Sequence, residues 1–488
     1  MKPLAERLTP LDGPANEGFE ADLSAALTAA GAPPLAPQTM AALATIADVS
    51  PFLKSLMLGS PAMLGDMLAR PLADSVTAAM EEEGDIGVAL RRGKRRIALA
   101  VALADLCGEA TVEEVTRALS DFADAAVTRA LAAGLADLKA RGHIETDDPH
   151  ESGLIVLAMG KLGGRELNYS SDIDLVVLVD PARGAAAGLA TETAVRVTKQ
   201  MARLLNERDV DGYVFRVDLR LRPDPGSTAA AVSTRAAIAY YQSRARAWER
   251  QAMIKARQIA GDTRAGNAYM RAVEHSVWRS GYDFTAIDDM LAMREQIAAV
   301  KGAGALTAPG HNVKIGRGGI REIEFYVQTL QRVTGGRDHH LRGRSTVNML
   351  EMLAARGWIT EEDGRVMTDA YRYLRRVEHR LQMIADEQLH TLPEEAGLPR
   401  IARMMRDDGF EANLRALLEV VHKRFLGLGN GGLRTNPVFA DAVGPPEEPL
   451  DEALRAAFAQ KVEVWHEGRY RSLQTERART LLKRLEPE

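Results

Sequence analysis

A single cysteine, Cys107, in 488 residues rules out a disulfide within the chain, and that usage fits a reducing compartment. Cys107 sits in "ALADLCGEA" and reads as a small buried apolar residue rather than a reactive thiol. Aromatic residues make up only 5% of the chain while alanine is abundant, a balance that favours helix. There is no uninterrupted apolar run of about 18 residues, so no membrane-spanning helix is expected. The N-terminal "MKPLAERLTPLDGPANEGFE" lacks the apolar core of a secretory signal, and the protein is expected to work in the cytoplasm. Positive charge is not in excess either. The net charge is −5, whereas a protein built to grip a nucleic-acid backbone is usually basic, so neither nucleic acid nor membrane is an expected partner.

What the chain does have is 46% hydrophobic and 26% charged residues, a globular composition, over a length that suggests about two to four domains. Four regions are expected. Residues 1–145 carry apolar residues at helical spacing, with Ser50-Pro51 and Ser60-Pro61 as helix starts. Residues 146–260 change character: "GLIVLAM" and "DLVVLV" read as strands buried on both faces, and "GYVFRVDLRLRP" alternates strictly. Helical periodicity returns over 261–428, and 429–488 reads as a Gly/Pro-rich linker followed by a charged helix. The fold class is α+β, mostly α-helical, with a small sheet inserted between helical regions.

The chemistry is expected where the strands are. "GKLGGRELNYSSDIDLVVLVD" places Asp172 and Asp174 two apart at the mouth of an apolar strand, so both point to one face. Two ionised carboxylates held so close call for a cation between them, and a hard divalent ion such as Mg²⁺ suits oxygen ligands. Asp218, on the polar face of the alternating stretch, supplies a third carboxylate if a neighbouring strand brings it alongside. Three carboxylates can hold two metal ions for in-line displacement at phosphorus. Gly160, Gly163 and Gly164 would let backbone N–H groups approach phosphate oxygens. Ser170 and Ser171 add hydroxyls, and Arg216, Arg220 and Arg222 flank Asp218 as charge-neutralising groups. Each feature alone has a plainer reading: a solvated D-x-D turn, a salt-bridged sheet face, an ordinary glycine turn. Their order along the chain is that of the DNA polymerase β-like nucleotidyltransferases, which the segment resembles.

A narrower resemblance rests on six motifs in order: "GKLGGRELNYSSDIDL", "VFRVDLRLRP", "WERQAMIKAR", "KIGRGGIREIEFYVQ", "LRGRSTVNMLEML" and "YRYLRRVEHRLQ". Together they resemble the bifunctional glutamine synthetase adenylyltransferase/adenylyl-removing enzymes, specifically their N-terminal, adenylyl-removing half. The glycine-and-aspartate motif is not repeated elsewhere in the chain. The resemblance implies phosphorolysis of adenylyl-tyrosine on glutamine synthetase by inorganic phosphate, giving ADP. It implies two Mg²⁺ ions held by Asp172, Asp174 and Asp218, with adenylylated glutamine synthetase and the PII signal protein as partners.

Softer roles go to other motif residues. Arg250 and Arg257 are expected on one face of a helix, with Lys255 off that stripe, as phosphate contacts, a solvated helix face being the rival reading. Lys314 and Arg317, with three glycines, precede a helix starting near Ile320, a weak anion-nest signal alone that the resemblance strengthens. Glu322 and Glu324 orient those basic groups or are simply exposed. His339 and His340 read as structural, and His379 as a helix-surface contact. The competing readings are a non-catalytic module that binds glutamine synthetase or PII, and a polymerase or tRNA-modifying transferase. The acidic balance and the lack of a basic, aromatic-interleaved groove weigh against the latter.

Overall fold

In a computed structural model, residues 2–278 and 306–428 are described. The helix expected over "AIDDMLAMREQIAAV", the linker and the charged C-terminal helix lie outside the described residues. Residues 1–430 pack as one unit.

The first 145 residues are helical, as the periodicity predicts. Ser50 caps the helix Pro51–Gly59 by accepting from the Leu53 N–H, with proline in the first turn, where its missing N–H is harmless. Ser60 starts the helix Pro61–Leu68 without a capping bond. Its hydroxyl accepts from Arg95 instead. The long helices Ile86–Leu106 and Val112–Ala140 follow, the second opened by a capping box between Thr111 and Glu114.

The sheet has five strands: β1 (Leu154–Ala158), β2 (Ile173–Val179), β3 (Val217–Asp218), β4 (Ala231–Ser233) and β5 (Arg257–Gly261). The order is β3-β2-β1-β5, with β4 also alongside β2. β1 runs antiparallel to β2 and β5, while β3 and β4 run parallel to β2. Both central strands are buried on both faces, as their unbroken apolar runs imply. Leu154, Val156, Ala158, Leu175 and Val177 enter one core with the helices Ile86–Leu106, Val112–Ala140 and Thr191–Asn206. Ile155, Leu157, Met159, Val176 and Leu178 enter a second core with Tyr241, Tyr269 and Val273. The first core reaches from Leu4 to Met404, so residues 1–145 and the sheet share one interior.

Four local expectations are corrected. The alternating stretch from Gly212 is strand for only two residues, Val217–Asp218; the chain then turns, and Arg220 and Arg222 lie in that turn. The "GKLGG" turn is a one-turn helix, Gly160–Gly163. "WERQAMIKAR" is not one helix. It is a short helix Ala247–Ala252, a 3-10 turn Met253–Lys255 and the start of β5, so Arg250 and Arg257 do not share a helix face. Finally, the helix Glu361–Met383 is not simply amphipathic: from Val377 to Met383 every residue is buried. His379, expected on the surface, is fully buried.

Candidate functional site

The three aspartates meet at the N-terminal end of β2. Parallel pairing sets Ile173 against Val217 and Asp174 against Asp218, so the third carboxylate lies in register beside the second. Asp172 precedes the strand by one residue. On the other edge, the Met159 N–H donates to the Asp174 carbonyl at 2.9 Å. Gly160 follows with φ +51, and a Cβ there would stand 3.0 Å from Asp174 Oδ2. A side chain would crowd that carboxylate, and the positive φ favours glycine.

The electrostatics of the three are unequal. Arg216 Nε donates to Asp172 Oδ1 at 2.6 Å, and the same guanidinium donates to the Tyr213 hydroxyl and the Ser170 carbonyl, both at 2.7 Å. Arg220 grips Asp218 with bonds of 2.6–3.0 Å, and these bonds hold the Asp218 carboxyl below its usual range. Asp174 has neither partner. Burial, then the charges of Asp218 and Asp172, push its carboxyl up to about 6, with Lys314 and Arg220 opposing. Among the described residues no three acidic, imidazole or thiol groups form a ready-made metal cluster, and the two arginines occupy the outer carboxylates.

The donor set nevertheless suits Mg²⁺. All three groups are hard oxygen donors, Asp174 has no side-chain ion pair among the described residues, and the Arg220 side chain that covers Asp218 is 83% exposed.

Other expected site residues are distributed more widely. A Cβ on Gly163 would stand 2.0 Å from the Lys255 carbonyl, so that glycine serves close backbone packing. Gly164 faces Glu166 and the Arg344 carbonyl. Ser170 is buried; its N–H donates to Gln382 and its hydroxyl to the Asp386 carbonyl. Ser171 is buried beside it. Arg222 clamps its own loop through the carbonyls of Leu219, Pro225 and Thr228. Arg250 donates to the Ala245 carbonyl. Lys255 is buried against Glu166 and Thr346. Arg257 forms a bidentate pair with Asp124. Arg317 is exposed in the turn before the helix Ile320–Thr334. Lys314 acts electrically on Asp174, opposing the rise in its pKa.

Sequence reasoning missed the support behind the motif. Of "YRYLRRVEHRLQ" in the helix Glu361–Met383 only His379 is placed by sequence, at the surface, yet Arg375, Glu378, His379 and Arg380 are all buried, the first two against the Gly160–Asp172 segment. Arg375 donates to the Glu166 carbonyl and to Asn168. Glu378 accepts from Lys161. His379 and Arg380 converge on Asp105, which Tyr169 also reaches. Only the density of polar residues within an otherwise periodic helix could have signalled this.

Known proteins resemble the chain along most of its length. Residues 40–272 match the glutamate-ammonia ligase adenylyltransferase family, and residues 291–427 match the GlnD PII-uridylyltransferase family. A bifunctional glutamine synthetase adenylyltransferase/adenylyl-removing enzyme of Mesorhizobium japonicum is 43% identical, covering 91% of this chain and 48% of that protein. The proteins of that name from Xanthobacter autotrophicus and Brucella melitensis are 43% and 40% identical. They cover 93% and 98% of this chain, against 49% and 52% of their own lengths. The chain thus spans about half the length of the curated relatives it matches.

Proposed function

This chain is a homologue of the bifunctional glutamine synthetase adenylyltransferase/adenylyl-removing enzymes, with residues 40–272 in the glutamate-ammonia ligase adenylyltransferase family, and on that premise we propose that it is the adenylyl-removing nucleotidyltransferase. Its substrate would be the adenylyl-tyrosine of glutamine synthetase. An oxygen of inorganic phosphate attacks the AMP phosphorus, the bond from phosphorus to the tyrosyl oxygen breaks, ADP forms, and the phenolate takes a proton from water.

The observation that carries this reading is the parallel register that sets Asp218 beside Asp174, next to Asp172. Those three residues would hold Mg²⁺, two ions in the fullest form of the proposal. When bound, the metal would offset charge on the phosphoryl oxygens and on the departing phenolate, whose conjugate acid has a pKa near ~10. The protein's own part is positional. Gly160 leaves room against Asp174, and Arg216 fixes Asp172 while tying it to Ser170. Lys314 and the exposed Arg220 bring positive charge to a polyanionic ligand. No strong base is required, because phosphate is already nucleophilic once held in line. The match of residues 291–427 to a PII-uridylyltransferase family supports PII as a regulatory partner, and the composition supports a cytoplasmic enzyme.

The test is incubation of the full chain with adenylylated glutamine synthetase, Mg²⁺ and inorganic phosphate, following ADP. Phosphate-dependent ADP that disappears in Asp172→Asn is expected. A second reading, a glutamine synthetase- or PII-binding module without activity of its own, has one observation on its side: Arg216 and Arg220 occupy two of the three carboxylates. Absence of ADP formation, with tight binding of glutamine synthetase retained, would favour it.

A further inference from the structure

The segment after the helix Glu361–Met383 brings a histidine into a chain of charges that the reaction above leaves unexplained. Glu378 is fully buried. Its Oε1 accepts from Lys161 Nζ at 2.8 Å and stands 3.0 Å from His390 Nδ1, close, but without the geometry of a well-formed hydrogen bond. On the far side of the ring, His390 Nε2 lies 3.4 Å from Lys314 Nζ. An ammonium has three donors and no acceptor. Nε2 is therefore the acceptor, and the ring proton resides on Nδ1, facing the carboxylate. A carboxylate behind one ring nitrogen fixes both tautomer and ring orientation, and so determines what the other nitrogen can do.

The backbone makes this arrangement rigid. Asn312 and Thr391 form an antiparallel bridge. The Val313 N–H donates to the His390 carbonyl and the Leu392 N–H to the His311 carbonyl, each at 2.8 Å. Asn312 Oδ1 accepts from the N–H groups of Lys314 and Ile315 at 3.1 and 2.9 Å. Residues 311–314 and 390–392 thus cross as a short ladder, and the side chains of Lys314 and His390 meet because of it. The Lys314 ammonium makes no ion pair with an acidic side chain among the described residues. Its charge is nonetheless felt at Asp174. Lys161, on the other side of Glu378, directly follows Gly160, where an added Cβ would stand 3.0 Å from Oδ2 of the same aspartate.

We propose that Glu378 and His390 are positioning residues that act through Lys314, aiming its ammonium at the phosphate group of the ligand beside Asp174. The proposal rests on the phosphoryl-transfer reading of the site. A lysine is a compact point charge on a flexible stem, and it needs an external acceptor to stay aimed. Nε2 of a neutral imidazole supplies one without cancelling the positive charge, as a carboxylate would.

The experiment is a double-mutant cycle on the full chain, with steady-state kinetics in inorganic phosphate. His390→Ala should raise KM for phosphate roughly ten- to a hundredfold with a smaller change in kcat. His390→Gln, whose amide oxygen can accept from Lys314, should restore most of that loss. In a Lys314→Ala background, His390→Ala should add little, because its effect passes through the missing ammonium. Additive losses, or no restoration by glutamine, overturn the proposal. A second measurement needs no turnover: selective ¹⁵N labelling of histidine. Nitrogen shifts showing an unprotonated Nε2 at His390, which move in Lys314→Ala, support the relay. A proton on Nε2 overturns it. A wild-type chain with the expected tautomer but no ADP formation would support the relay and sink the phosphorolysis reading.

Discussion

Asp174 gives a prediction with a worked magnitude. Its carboxyl, ordinarily near 3.8, is pushed up to about 6 by burial and by the charges of Asp218 and Asp172. A folded-state pKa above the unfolded one means that the ionised form opposes folding. The penalty is absent below 3.8, accumulates between 3.8 and 6, and is complete above 6. The difference of about two units corresponds to roughly 3 kcal/mol, an upper bound. Asp174→Asn keeps the shape and removes the charge. In chelator at pH 8, urea unfolding should find the variant roughly 1–3 kcal/mol more stable than the wild type. The gap should close as pH falls through 6 towards 4. Mg²⁺ should then stabilise the wild type by binding the folded state, and do so less in the variant. A variant no more stable at pH 8, or a difference indifferent to pH, would refute the assignment of repulsive charge to this position.

Three further outcomes are expected. Gly163→Ala places a Cβ 2.0 Å from the Lys255 carbonyl and 2.7 Å from that of Ala158; it should lower stability by about 3 kcal/mol or leave the chain insoluble, read by thermal melting. Asp105→Ala strips the shared partner from buried His379 and Arg380 and should lower stability by about 3–5 kcal/mol, read by urea unfolding. In the wild type, Arg380 and His379 outweigh burial and hold the Asp105 carboxyl down at about 2; this contribution is present above 3.8 and fades as pH falls towards 2. Arg220→Ala removes an exposed cation from Asp218 and should leave the fold intact while tightening Mg²⁺ binding roughly two- to fivefold by calorimetry. Weaker binding would mean that Asp218 is not a ligand.

The sequence by itself determined the strands and the helices whose polarity follows a period. Leu154–Ala158 and, beyond Asp174, Leu175–Val179 are apolar without interruption because both of their faces are covered. The D-x-D spacing placed two carboxylates together because side chains two apart on an extended chain share a side. Local rules of this kind act over a few residues and are written in the chain. The tertiary structure decided the rest. Asp218 reaches Asp174 through a two-residue parallel pairing across 44 positions, which no local pattern encodes. Arg257 and Lys255 are matched to acids at Asp124 and Glu166, partners far away in sequence, so their spacing within "WERQAMIKAR" misled. His379 reads as a helix-surface contact because polar residues usually face solvent, yet it is buried together with Glu378 and Arg380. They are buried because Lys161 in the Gly160–Asp172 segment pairs with Glu378, and Asp105 at the end of the helix Ile86–Leu106 pairs with His379 and Arg380, a compensation that exists only once the chain has folded.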